Sequence, residues 1–267
     1  MTVAEALQHG AAVLAHLDNP RREARLLLAH TAALTLTDLL RDPAYPVDGA
    51  RYQAALDRRA GHEPVALIAG CAEFWSLSFR VNRHTLLPRP DSETVVQAAL
   101  DVCPAPARVL DLGTGTGCLL LAVLHERPAA WGLGVDLSPN AAALAHGNAA
   151  SLGLAGRCAF VCGSWADSVA GHFDLVLSNP PYIRSGDLAG LAPDVRLFEP
   201  ARALDGGADG LDAYRAILAL LPRLLTPGGT AVLEVGYDQA DAVAAMAGGG
   251  QIVPDLAGIG RAVVIRR

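Results

Sequence analysis

A chain of 267 residues with 52% hydrophobic residues and a mean hydropathy of +0.30 can bury a sizeable core, in one large domain or two smaller ones. Its formal charge of −6 and pI near 5.7 argue against a main task of gripping duplex nucleic acid, which calls for a basic face. No run approaches the roughly 18 uncharged apolar residues of a membrane span, and the N-terminus has neither the basic start nor the apolar stretch of a signal peptide.

The first 70 or so residues read as helices. Ala4, Ala6, Leu7, Ala11, Val13, Leu14 and Leu17 recur at helical spacing, Asp18-Asn19-Pro20 breaks the pattern, and Pro20 suits a helix start. Ala24–Ala29, Leu34–Leu40 and Tyr52–Ala60 continue it, with loops at Asp42-Pro43 and Tyr45-Pro46. This predicts a small helical domain over residues 1–72. Phe74, Leu77, Phe79 and Val81 predict short strands, closed by Pro88 and Pro90, so residues 73–91 read as a β-hairpin linker.

From residue 92 to 267 strands and helices alternate. Strands are predicted at Val109–Leu112, Leu133–Asp136, Ala159–Cys162, Phe173–Ser178, Thr230–Val235 and Ala262–Ile265. Helices are predicted at Leu119–Glu126, Pro139–Ser151 with Ser138 as N-cap, and Leu211–Leu225 before Pro227-Gly228-Gly229. Such alternation predicts an α/β fold, an open and mostly parallel sheet wrapped by helices. The five cysteines (71, 103, 118, 158 and 162) are scattered, and no second Cys or His pair completes a metal site around Cys158 and Cys162. Reduced thiols, no metal and a cytoplasmic location are expected.

Asp111-Leu-Gly113-Thr114-Gly115-Thr116-Gly117 leaves the first strand of this sheet and opens a helix. In open parallel sheets ligands bind at the carboxyl ends of strands, and glycines there let backbone approach a nucleotide-type cofactor. Alone, such a loop is a weak signal and fits a plain tight turn as well. Asp136 ends the next strand, 19 residues beyond Gly117, where an acid can accept hydrogen bonds from two ribose hydroxyls. No Gly-Lys-Ser/Thr follows, and Asp111 would repel a pyrophosphate but suit a cation. S-adenosyl-L-methionine, with its sulfonium, amino acid end and ribose, fits. Trp165, after the third strand, is placed to pack on an adenine or to serve as core.

Asn179-Pro180-Pro181-Tyr182 closes the fourth strand. An amide or exocyclic amine is a poor nucleophile because its lone pair is delocalised. Two acceptors on its N–H groups, the Asn179 side-chain oxygen and the Pro180 carbonyl, would localise that pair and aim it at a methyl carbon. Tyr182 can stack on the planar acceptor group.

The combination resembles the HemK/PrmC family of release factor glutamine methyltransferases. The likeness extends to Glu63-Pro64 through Gly70, Glu73-Phe74-Trp75, Leu87–Glu93, Ile183, Phe198-Glu199-Pro200, Ala203-Leu204, Gly207, Asp209–Leu211, Pro227–Gly229 and Leu233-Glu234. It implies a class I, Rossmann-like sheet with an antiparallel C-terminal strand, and a monomer whose helical N-terminal domain helps dock its substrate. That substrate is the glutamine of the Gly-Gly-Gln motif of peptide chain release factors, methylated on its side-chain amide. By position, Asp111, Gly113 to Gly117, Asp136, Trp165 and Asn179 would hold the cofactor, Asn179 to Tyr182 the glutamine, and Arg89 and Glu93 would shape the site or serve structure alone. Ser164 stands where relatives often carry an acid, and Ile259-Gly260 where they often show Arg-Asp, which puts an ion pair in doubt. Alternatives are a ribosomal protein glutamine methyltransferase, a DNA adenine N6 methyltransferase, for which basic groove and target-reading insertion are missing, and a non-catalytic scaffold, which would not keep the tetrapeptide.

Overall fold

The computed structural model describes residues 1–167 and 169–267. The chain divides into two compact units, one of Met1–Cys71 with Ala192–Phe198 and one of Ala72–Leu191 with Glu199–Arg267.

In the first unit, helices α1 (Val3–Val13), α2 (Pro20–Ala32), α3 (Leu36–Arg41), α4 (Gly49–Ala60) and α5 (Val65–Ala69) follow one another. The Thr2 hydroxyl accepts the Glu5 N–H while the Glu5 carboxylate accepts the Thr2 N–H, so both orphan donors at the start of α1 are satisfied. Thr35 and Asp38 do the same for α3. The apolar faces meet around Leu27, Leu28, Leu56 and Tyr52, all fully buried, and the Tyr52 hydroxyl donates to the Ala24 carbonyl at 3.0 Å.

In the second unit a two-stranded hairpin, β1 (Cys71–Phe74) and β2 (Leu77–Arg80), precedes α6 (Glu93–Val102). The seven-stranded sheet then takes β3 (Arg108–Leu112), β4 (Trp131–Asp136), β5 (Cys158–Cys162), β6 (Phe173–Ser178), β7 (Leu225–Glu234), β8 (Gln251–Pro254) and β9 (Gly260–Arg266). Their order is β5-β4-β3-β6-β7-β9-β8, parallel from β5 to β7 with β9 antiparallel to β7. The expected mostly parallel sheet with an antiparallel last strand is therefore present.

Alternation along the strands builds a core on each face. Val109, Leu175 and Leu177 join α6 and α7 (Cys118–Glu126), whereas Leu110, Leu112 and Val176 join α10 (Asp212–Leu224) and α11 (Ala240–Met246). Each such fully buried side chain contributes about 1.5–3 kcal/mol of transfer free energy. Between β4 and β5, α8 (Pro139–Ser151) starts as expected: the Ser138 hydroxyl accepts the Ala141 N–H and Pro139 takes the first position.

Five elements escape the pattern reading: α5, α6, α9 (Pro193–Phe198), α11 and β8. Strand β7 starts five residues earlier than expected, at Leu225, because Pro227-Gly228-Gly229 lies within it, where its register against β6 shifts. At the C-terminus, Arg261 pairs with Asp91 at 3.3 Å and Asp255 at 3.2 Å, so an ion-pair network forms there without a charge at Ile259 or Gly260.

Candidate active site

The sheet order reverses between β3 and β6, since β4 and β5 lie to one side of β3 and β6 and β7 to the other. Ligands of such sheets bind in the crevice at the carboxyl ends of the strands flanking that reversal. A cleft open to solvent lies there, spanning about 1050 Å³ with the solvent space at its mouth included, and Gly113–Thr116, Asp136, Trp165, Asn179 and Pro181 all line it.

The glycine turn is built by backbone. Gly113 and Thr114 both donate their N–H groups to the Val135 carbonyl at 2.9 Å, and Gly115 donates to Asp136 Oδ2 at 2.9 Å. Gly117 closes the turn at φ +82°, and a side chain there would press on Leu121 at 3.1 Å and Ala145 at 3.2 Å. Asp136 also accepts the Ser138 N–H on Oδ1 at 2.8 Å. Each of its oxygens keeps a further lone pair for a ligand hydroxyl. Trp165 is half-buried, at φ +45°, and its ring comes within 3.9 Å of where a Cβ on Gly113 would stand.

Asp111 lies beneath the turn, 1% exposed, and does not itself line the cleft. Its Oδ2 accepts the Thr114 hydroxyl at 2.6 Å, and its Oδ1 has no partner. Burial pushes this carboxyl up to about 7; the Thr114 hydrogen bond opposes the rise and the Asp136 charge adds to it. Across the turn, Thr85 lines the cleft with its hydroxyl also unpartnered. Two buried oxygens without partners beside a glycine turn fit a ligand that brings a cationic donor.

The tetrapeptide forms a corner fastened from several sides. Pro180 is buried, and neither it nor Tyr182 lines the cleft; the Tyr182 ring packs on the core shared with α10 and α11. The Tyr182 hydroxyl donates to Glu234 Oε1 at 3.4 Å, and the Tyr182 carbonyl accepts from Gln239 at 3.0 Å. Gly206 lies so close behind the corner that a side chain there would meet the Pro181 carbonyl oxygen at 2.8 Å. Asn179 Nδ2 donates to the Ser92 hydroxyl at 3.1 Å. Glu234 is 1% exposed, and burial pushes its carboxyl up to about 7; Ser92, Arg261 and Tyr182 work against that rise and Asp91 adds to it.

Three features were not assigned by sequence reasoning: the hydroxyl of Ser92, the buried carboxyl of Glu234, and Arg202, which lines the cleft and donates to the Ser138 hydroxyl at 3.0 Å. Of the two flagged linker residues, Arg89 lines the cleft and pairs with the buried Glu199, whereas Glu93 accepts the Trp75 N–H at 2.8 Å. Among the described residues no cluster could hold a metal ion and no helix is long and apolar enough to cross a membrane.

Residues 93–204 match the family model described as methyltransferase small domain, and residues 5–70 that described as PrmC N-terminal domain. A solved methyltransferase from Pyrococcus furiosus shares the fold, with a TM-score of 0.54 over 81% of this chain and 98% of that one at 16% identity. The sheet, the cleft at its reversal and the domain match define a class I methyltransferase, an enzyme whose methyl donor is S-adenosyl-L-methionine. The release factor glutamine methyltransferase of Cereibacter sphaeroides is 47% identical over 276 residues, covering 100% of this chain and 99% of its own. That of Rhodospirillum rubrum is 46% identical over 263 residues, 95% of this chain and 81% of its own. The chain belongs to the family of release factor glutamine methyltransferases.

Proposed function

We propose that this enzyme transfers a methyl group to the side-chain amide nitrogen of the glutamine in the Gly-Gly-Gln motif of peptide chain release factors, with Asn179 as the residue that presents the acceptor amide. When bound, S-adenosyl-L-methionine supplies a methyl group on a sulfonium, an electrophile that needs no activation by the protein. The residues around the cleft fit it. Asp136 offers lone pairs to the ribose hydroxyls, Trp165 a face to the adenine and the Thr85 hydroxyl an acceptor to an ammonium, while the Asp111 carboxyl beneath the turn adds negative charge.

The acceptor amide is the harder partner, because its lone pair is spread into the carbonyl. Asn179 Oδ1, on the cleft wall, accepts one amide hydrogen and draws electron density back onto nitrogen; the Pro180 carbonyl, which the resemblance assigns to the other, belongs to a buried residue behind that wall. Orientation and charge stabilisation by fixed acceptors are the source of rate here. Pro180 and Pro181 keep those acceptors from swinging, since their φ is fixed. Tyr182 acts from behind, as a half-buried post whose ionisation burial pushes far above its ordinary range.

The observation that carries this reading is the meeting of Asn179 and the glycine turn in one cleft at the ends of the adjacent strands β6 and β3. We further propose that the helical unit docks the release factor, that the enzyme works as a monomer in the cytoplasm, and that it binds no nucleic acid directly. All five cysteines are free thiols, in keeping with a reducing compartment, and the net charge of −6 offers nucleic acid no overall attraction. The test is mass spectrometry of the Gly-Gly-Gln peptide after incubating release factor, labelled donor and enzyme. A gain of one methyl on glutamine is expected from the wild type and none from Asn179→Ala, whose donor affinity stays within about threefold. Methylation of plasmid DNA or ribosomal protein in place of release factor would overturn the assignment.

A further inference from the structure

A primary carboxamide has an oxygen end and a nitrogen end of nearly equal size. Presenting an amide hydrogen to the wrong end would set donor against donor. If Asn179 serves as proposed above, something must hold its oxygen toward the cleft. We infer that Ser92 is this positioning residue, and that Glu234 fixes the direction of its hydrogen bond.

Ser92 is 2% exposed and stands at the start of α6, yet its hydroxyl makes no capping hydrogen bond to that helix. It accepts from Asn179 Nδ2 at 3.1 Å instead, and it lies beside the buried carboxyl of Glu234 at the end of β7, whose Oε2 has no hydrogen-bond partner. A hydroxyl has one hydrogen to give. The unpartnered Oε2 of Glu234 is the acceptor open to it, and once that carboxyl is ionised it can only accept. The Ser92 oxygen is then left as an acceptor, and the only group of Asn179 that can serve it is the NH₂. The carboxamide oxygen is thereby turned away from Ser92 and left for the cleft that Asn179 lines.

The arrangement ties down both ends of the tetrapeptide through one carboxyl. Glu234 stands beside Ser92, which holds Asn179, and receives the Tyr182 hydroxyl itself at 3.4 Å. Strand register makes this possible: Ser178 pairs with Leu233, so Glu234 comes level with Asn179 across adjacent strands. Glu234 is fixed in turn by the Tyr214 hydroxyl, which donates to its backbone carbonyl at 2.9 Å. Ser92 lines the cleft beside Asn179, and Glu234 lies buried behind it.

The inference is tested on the full-length enzyme with a release factor as substrate, by comparing Ser92→Ala, Ser92→Thr, Glu234→Gln and Asn179→Ala. Ser92→Ala is expected to lower kcat about 10- to 100-fold, with donor Kd and release factor KM within about threefold of wild type. Ser92→Thr, which keeps a hydroxyl, should recover most of the loss. Glu234→Gln, whose amide can give as well as accept, should fall between wild type and Ser92→Ala. In ¹⁵N spectra the side-chain NH₂ signal of Asn179, identified by its absence in Asn179→Ala, should shift and exchange faster with solvent in Ser92→Ala. Full kcat in Ser92→Ala beside an inactive Asn179→Ala overturns the role of Ser92 and leaves that of Asn179 standing. An active Asn179→Ala overturns both. A loss in Ser92→Ala that comes with lost donor affinity and is not recovered by Ser92→Thr marks Ser92 as a packing residue and overturns the inference.

Discussion

Gly115 gives its backbone N–H to the Asp136 carboxylate at 2.9 Å, tying the turn after β3 to the end of β4. One side chain thus shapes the glycine turn and, with its remaining lone pairs, offers a seat to a ribose.

Asp136→Asn is expected to weaken donor binding more than tenfold. The amide keeps one acceptor but turns an NH₂ toward either the Gly115 or the Ser138 N–H, both of which now find a carboxylate oxygen. Losing a charge-assisted hydrogen bond of this kind costs about 1.5–3 kcal/mol. Titration calorimetry with donor reads the change; an unaltered Kd would remove Asp136 from the site.

Trp165→Ala should raise the donor Kd by tenfold or more, because stacking a base on an aromatic ring is worth about 1–3 kcal/mol. The ring is half-buried against the core as well, so the melting temperature without donor should fall too. The informative number is the change in donor-induced stabilisation. If donor raises the melting temperature equally in both proteins, Trp165 is core and nothing more.

Asp111 and Glu234 titrate near 7 in the folded protein, above the ordinary values of 3.8 and 4.5. The folded chain therefore holds protons that the unfolded chain releases. Stability from these two groups is full below about pH 4 and is lost as pH climbs to 7. Without donor, Asp111→Asn should melt higher than wild type at pH 8, and the difference should shrink toward pH 5. Donor affinity should move the other way in wild type, rising from pH 6 to pH 8 as Asp111 ionises to face a cation, and stay flat in Asp111→Asn. A pH-independent difference in melting between the two proteins would place the titration elsewhere.

In the helical unit, Tyr52→Phe removes a buried hydroxyl that donates to the Ala24 carbonyl. A cost of about 1 kcal/mol is expected, read by denaturant titration, with donor affinity unaffected.

What the chain's pattern disclosed and what it hid have a common physical origin. Strands such as Leu175–Ser178 end in their own functional residues, so period and punctuation mark both together, and Ser138-Pro139 announces its helix by local chemistry alone. Strand β8 escaped because Gln251-Ile252-Val253-Pro254 is a short edge strand, mostly exposed and ending in proline. Helix α11 is largely alanine and offers little periodic contrast. Ser92 and Glu234 were out of reach for another reason. Asn179 meets Ser92 across 87 residues and Tyr182 meets Glu234 across 52, and only the strand order brings those segments together.

A Cβ added at Gly206 would lie 2.8 Å from the Pro181 carbonyl oxygen and from the Tyr182 Cα, so even one methyl group there would displace the prolyl corner as a body. Efforts to retarget the enzyme toward bulkier amides by directed evolution thus have a defined blind alley. Libraries that vary position 206 will yield misplaced corners and not widened ones, and room for a new acceptor has to be carved from other residues of the cleft lining, away from Thr85 and the glycine turn.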